Sequence, residues 1–136
     1  MMISITPVKE QTPNEYDEFF KQERDKEELF EEPWVKEHGY FLELDGKQLG
    51  FFVLYPINES KVWLRRLVMR EQTNPAILIL AFDWVAEKAM EQNYNELYVH
   101  VQDENTAPLL EMNRFKPAYE VPMQNPSGVD WFMKEL

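Results

Sequence analysis

His100 and Tyr98 stand two residues apart in the segment ELYVHVQ, and the two-residue period of a strand puts both side chains on one face. An imidazole titrates near neutrality and takes a proton from a nucleophile, while a phenol returns one to a leaving group. His100 is therefore the first candidate base and Tyr98 the candidate acid. Each also has a plain packing role, as a histidine between sheet and helix or as a core aromatic. The other histidine, His38, is too distant in sequence to form a local ligand pair with His100. Cysteine is absent, which removes a thiolate nucleophile, a cysteine metal site and a disulfide framework, and no metal is expected. Tyr55 and Glu59 sit near a strand end, at an acceptor or in a surface turn. Arg65 and Arg66 either hold a phosphate or pair with the acidic first helix.

The elements that must position these groups can be read from periodicity. Ile3 and Ile5 alternate with Ser4 and Thr6 as in a half-buried strand. A helical stretch starts at Pro13-Asn14, with Tyr16, Phe19, Phe20, Leu29 and Phe30 at helical spacings, and Pro33 is expected to end it. Tyr40–Asp45 and Gln48–Tyr55 read as strands joined at Asp45-Gly46, and Lys61–Met69 as a third. Asn74 and Pro75 are N-cap and first-turn signals for a helix from Ala76 to about Gln92. Its stripe is Ile77, Leu80, Ala81, Trp84 and Val85, with Leu78, Ile79 and Phe82 making the first two turns apolar nearly all round. Its N-terminal end is thus expected to be the more buried one. Glu96–Gln102 is a strand with Leu97, Val99 and Val101 opposite Tyr98 and His100. Thr106–Met112 is a short helix, and Phe115–Val121 and Trp131–Leu136 are closing strands. The four tryptophans, Trp34, Trp63, Trp84 and Trp131, read as core or sheet-surface aromatics. The fold class is mixed α/β (α+β), in the order β-α-βββ-α-β-α-ββ.

Composition bounds the rest. The chain has 136 residues, 44% hydrophobic, with 19 aromatic side chains. That is the size of one domain at ~100–200 residues each, and apolar enough to fill a core. It carries 14 Lys and Arg against 25 Asp and Glu, a net charge of −11, which argues against a nucleic-acid partner. No apolar run approaches the ~20 residues of a membrane span, and the first residues lack the build of a signal peptide. A soluble, cytoplasmic protein with no membrane partner is expected. Glu10–Glu32 carries −7 of the total charge in 23 residues. It is either a solvated face or a field that attracts a cationic ligand.

The element order resembles the GNAT family of acyl-CoA-dependent N-acetyltransferases. GYFLELDGKQLGFFVLYP is similar to the family's second and third strands, with Gly50 at the glycine that often opens the latter. KVWLRRLVMREQTNPAILILAFDWVAEKAMEQNYNELYVHV is similar to its central strand, pyrophosphate loop, long helix and fifth strand. DENTAPLLEMNRFKP resembles its N-x-x-A…Y-E-x-x-G-F segment. The resemblance implies a single GNAT-like domain over residues 1–136, with acetyl-CoA as co-substrate and a small-molecule or protein amine as acceptor. It implies that backbone at Leu67, Val68 and Met69 supplies an oxyanion donor. It implies further that Thr73, Asn74, Ala76 and Ile77 meet the pyrophosphate, and that Asn105 or Asp103 takes the family's Asn position. Where the acidic segment borders the acceptor, the amine is expected to be cationic.

The motifs depart from the family at defined places. The loop Q/R-x-x-G-x-G/A reads Thr73-Asn74-Pro75-Ala76-Ile77-Leu78, and no glycine occurs between Gly50 and Gly128. Pro75 removes an N–H, and Glu71 adds negative charge nearby. Leu110 occupies the position of the family's acid Tyr, and Arg114 that of its Gly. These departures favour an alternative, a catalytically inactive GNAT-like ligand- or protein-binding module. A third reading is an acidic interaction protein that shares only the topology.

Overall fold

The chain first doubles back at the expected turn, Asp45-Gly46. In the computed structural model, which describes residues 3–8, 33–69, 74–101, 106–118 and 130–136, Asp45 has φ 51° and Gly46 φ 82°. Two successive positive φ values are what a two-residue type I′ hairpin needs. The turn joins β2 (Gly39–Leu44) to β3 (Lys47–Pro56). Their ladder skips a residue between Leu42 and Glu43, where Leu42 faces Gly50 and Glu43 faces Gln48. β1 (Ile3–Pro7) runs antiparallel to β2.

Pro33 begins a helix: α1 spans Pro33–His38. A first helical position has no intrahelical use for its N–H, so proline is at home there. The helix expected over residues 13–32 lies outside the described residues, as does the acidic segment it belongs to.

The remaining elements follow the expected order. They are β4 (Lys61–Met69), α2 (Pro75–Glu91), β5 (Glu96–Val101), α3 (Thr106–Met112), β6 (Lys116–Pro117) and β7 (Asp130–Glu135). The strands are hydrogen-bonded in the order β1-β2-β3-β4-β5-β7-β6. β4 and β5 form a parallel pair over Lys61–Leu64 and Glu96–Val99, a pairing that needs the α2 crossover between them. β5 pairs with β7, and β7 with β6, antiparallel. The result is the mixed α/β sheet fold in the order β-α-βββ-α-β-α-ββ. The strand expected over Phe115–Val121 is, within the described residues, the two-residue β6.

The described residues fall into two compact units whose boundaries cut β3 after Val53 and β4 after Arg65. The first holds β1, α1, β2, the start of β3 and the end of β4. Its core is Val8, Phe41, Phe51 and Val53, with Trp34 and Val68 packed against them. Phe41 and Phe51 are a cross-strand pair with rings 5.7 Å apart, and the next pair, Tyr40 and Phe52, stacks at 5.3 Å. Such aromatic pairs hold the register as well as the faces.

In the second unit Val62, Leu64, Leu97, Val99 and Phe132 are buried strand residues. Ala81, Phe82, Val85, Ala86 and Ala89 form the buried stripe of α2. Tyr98 is buried too, at 4% exposure, so β5 is covered on both faces. The burial of α2 differs from the expectation. Ile77, Leu78 and Ile79 are only half-buried and Leu80 is exposed. Ile79 and Leu80 line an open cavity, so the apolar first turns border that cavity, and the core begins at Ala81.

Candidate active site

β5 brings His100 and Tyr98 onto one face, as the alternation requires. The register then decides their neighbours. Trp63 on β4 is opposite Tyr98, and Trp131 on β7 is opposite His100. The indoles of Trp63 and Trp131 lie 5.3 Å apart. The Trp131 ring lies 5.1 Å from the His100 imidazole at an interplanar angle of 32°. Tyr55 meets Trp63 edge-on at 6.2 Å, and the Arg65 guanidinium sits 5.0 Å from the Tyr55 ring and 4.9 Å from that of Trp63. The tryptophans thus roof a strand whose polar atoms they shield.

Two buried polar atoms of this cluster have no hydrogen-bond partner in the protein: His100 Nε2 on β5 and Trp63 Nε1 on β4. Buried polar atoms are nearly always paired, and these two have no partner within the protein. Burial lowers the pKa of His100, because the charged imidazolium loses its hydration. The imidazole is therefore neutral at physiological pH, the state that accepts a proton. Tyr98 is shifted the other way, first by burial and then by the Glu96 carboxylate, with Lys61 opposing. Lys61 and Glu96 are themselves register partners with an ion pair at 3.3 Å. The phenol stays protonated, which suits a proton donor.

The helix residues read as coenzyme contacts lie together at the start of α2. Asn74 is the N-cap, and its Oδ1 accepts from the Ala76 N–H at 2.9 Å. Its carbonyl accepts from Ile77 at 2.9 Å and from Leu78 at 3.2 Å. Pro75 has no N–H at all. The donors that a helix N-terminus normally offers to a phosphate are here absent or engaged by Asn74, and this does not fit a pyrophosphate held by free N–H groups of the first turn. Thr73 and Asn105, and with them Asp103, lie outside the described residues.

Leu67, Val68 and Met69 end β4 in the first unit, each half-buried. They approach Gly50 so closely that a Cβ there would stand 3.0 Å from the Val68 carbonyl and 2.5 Å from Met69 Sδ. Glycine at this position is thus a requirement of close strand contact. On α3, Leu110 is fully buried, and a leucine in the core performs no acid chemistry. Arg114 has φ 68°, the left-handed geometry expected of the glycine it replaces.

Sequence reasoning placed Tyr98 and His100 on β5 and Asn74 at the cap of α2, where the structure has them. It missed the tryptophan roof, because the pairing of His100 with Trp131 depends on how β7 returns to β5. It also missed the grouping of Arg114, Lys116 and Lys134, three cations from separate elements that line one cavity.

The fold these elements build is that of the GNAT acetyltransferases. An N-acetyltransferase of Campylobacter jejuni, PseH, superposes with a TM-score of 0.71 at 13% identity, covering 99% of both chains. A GNAT family acetyltransferase from Elizabethkingia anophelis with acetyl-CoA bound gives 0.68 at 20% identity over 98% of both. The Bacillus subtilis acetyltransferase in complex with CoA gives 0.70 at 14% identity, covering 98% of this chain and 97% of its own. No protein-family profile matches the sequence, and no curated protein matches it. Among the described residues no helix is long and apolar enough to cross a membrane.

Proposed function

We propose that this chain is an acyl-CoA-dependent N-acetyltransferase that transfers an acyl group from a thioester to an amine. The observation that carries the reading is the fold, shared end to end with acetyltransferases, with the neutral imidazole of His100 on β5 as the candidate base. Acetyl-CoA, when bound, supplies the activated acyl group. The chain supplies the proton acceptor. His100 is the candidate acceptor of the proton that the amine loses on attack, and its lowered pKa keeps the imidazole neutral at physiological pH. Tyr98, held protonated, is the candidate donor to the departing thiolate.

Two measurements test this. Thermal unfolding with acetyl-CoA at ~100 Kd should add about 2.7 kcal/mol, roughly 5–15 °C in Tm for a domain of this size. Thiol release from acetyl-CoA should depend on an added amine, and His100→Gln should lower it at least ~100-fold. Binding without turnover on a broad amine panel would favour the inactive module, a reading supported by the engaged N–H groups of α2 and by the buried Leu110. A cationic acceptor such as a polyamine, aminoglycoside or lysine side chain is the finer reading. It predicts a fall in kcat/KM for such amines when Glu27 and Glu28 are reversed in charge, and no change would refute it.

A further inference from the structure

Glu96, Tyr98 and His100 occupy alternate positions of β5 and so share one face of the sheet. The Tyr98 phenol donates a hydrogen bond to the Glu96 carboxylate, which also pairs with Lys61 Nζ at 3.3 Å. The backbone N–H groups of Asn95 and Glu96 both donate to the Ser60 carbonyl, at 2.7 and 3.2 Å, so the carboxylate stands on a fixed strand start. Exposure rises along the line. Tyr98 is 4% accessible, while the side chains of Glu96 and Lys61 are 25% and 32% accessible. Glu135, opposite Glu96 on β7, is exposed. Trp63 and Trp131 flank the line as the register partners of Tyr98 and His100.

Acyl transfer to an amine has a proton to discard. An amine that arrives as an ammonium loses two protons on becoming an amide, as the C–N bond forms and the C–S bond breaks. The second, lost on attack, ends on the departing thiolate. The first is lost before attack, because an ammonium has no lone pair to attack with, and it must reach solvent. Successive positions on one face of a strand are about 7 Å apart, a span that one water covers between imidazole and phenol. From the phenol to the carboxylate the contact is direct.

We propose that Glu96 is the proton-release residue of the reaction, receiving through the Tyr98 hydroxyl the proton that His100 takes from the ammonium and passing it to solvent. The inference rests on the acetyltransferase reading above. The imidazolium gives its proton to the Tyr98 oxygen while Tyr98 gives its own to the Glu96 carboxylate. The carboxylic acid then loses that proton to water, and each group regains its starting charge. Burial and the Glu96 carboxylate both hold the phenol protonated, and a concerted transfer of this kind passes through no phenolate. Glu96 touches neither amine nor thioester. It is a positioning residue that acts through Tyr98, and Lys61 holds its carboxylate in place.

Steady-state turnover of the full chain at rising concentrations of imidazole buffer tests it, with acetyl-CoA and the amine that wild type acetylates fastest. Glu96→Gln should lower kcat at least ~10-fold at low buffer, with KM for the amine unchanged. Imidazole should restore most of that loss, since a small buffer carries the proton away in place of the carboxylate. Lys61→Gln removes the ion pair but keeps the carboxylate, and should lose far less. Equal losses in the two variants, neither restored by buffer, would mean that the pair only ties the strand starts together, and would overturn the proposal. NMR titration of Tyr98 reads the coupling without turnover. Its pKa should fall part of the way to the ordinary value in Glu96→Gln, and an unmoved value would also overturn the proposal. A wild type inactive on every amine would remove the acetyltransferase reading and this inference with it. An active wild type with an unrescued Glu96→Gln would remove this inference alone.

Discussion

The His100 imidazole lies against the Trp131 indole, 5.1 Å between ring centres and 32° from parallel, across a register pair of β5 and β7. This contact is a large part of what keeps His100 Nε2 out of water. Replacing Trp131 with Leu should admit solvent, relieve the desolvation that lowers the His100 pKa, and move it up toward its ordinary value. NMR titration of the imidazole checks this without any assay of activity. In an active enzyme the acid limb of the kcat/KM profile should move to higher pH with it. An unmoved pKa would mean that other groups do the shielding.

The same shift links stability to pH. A folded-state pKa below the unfolded one means that the unfolded chain binds the proton more readily, so stability rises with pH through that window. The contribution is fully present above the ordinary histidine range and is lost as pH falls toward the lowered value. Wild type should therefore lose more stability than His100→Gln between about pH 7 and 5. Urea unfolding of both proteins across that range measures the difference, and parallel curves would contradict it.

Gly50 makes a steric prediction. A methyl group at Gly50 would meet the Val68 carbonyl at 3.0 Å and Met69 Sδ at 2.5 Å. The thioether is flexible and moves aside, whereas the carbonyl belongs to the β4 backbone. Gly50→Ala should cost about 1–3 kcal/mol. Adding Met69→Ala should recover only the side-chain part of that loss, as read from urea midpoints.

How much of this was legible in the sequence depends on the range of the interaction concerned. Asp45-Gly46, the Asn74 cap and the limits of β4 and α3 are decided by neighbours in sequence, and they read correctly. The helix that Pro33 begins was not read, because proline both ends helices and starts them, and only the following turn shows the start. The α2 burial was misread because apolar character does not say what covers it. Leu80 is as hydrophobic as a core leucine but faces an open cavity. The Trp63–Trp131–His100 stack depends on β4, β5 and β7 pairing side by side. No local pattern encodes that.

Asn74 has a cap role that is separable from any ligand role. Its side chain accepts from the Ala76 N–H at 2.9 Å, and loss of such a cap costs about 1 kcal/mol. Asn74→Ala should lower stability by that amount and Asn74→Ser should restore most of it. If freed N–H groups at this helix start hold phosphate, Asn74→Ala should also bind pyrophosphate more tightly than wild type. Unchanged affinity would locate phosphate binding elsewhere.

Arg114 and Asn93 close two helices of one chain at the same φ of 68°, and so each serves as a control for the other. A side chain in this region is strained by contact between Cβ and the backbone, and asparagine less so than arginine. Arg114→Gly should therefore stabilise the protein by about 1 kcal/mol, whereas Asn93→Gly should change it by only a few tenths. Both substitutions keep the hydrogen bonds of Phe115 to Leu110 and of Tyr94 to Ala89, so the comparison isolates the backbone strain. Equal gains at the two sites would mean that arginine carries no extra strain. A loss at Arg114 would mean that its side chain stabilises the fold through contacts of its own.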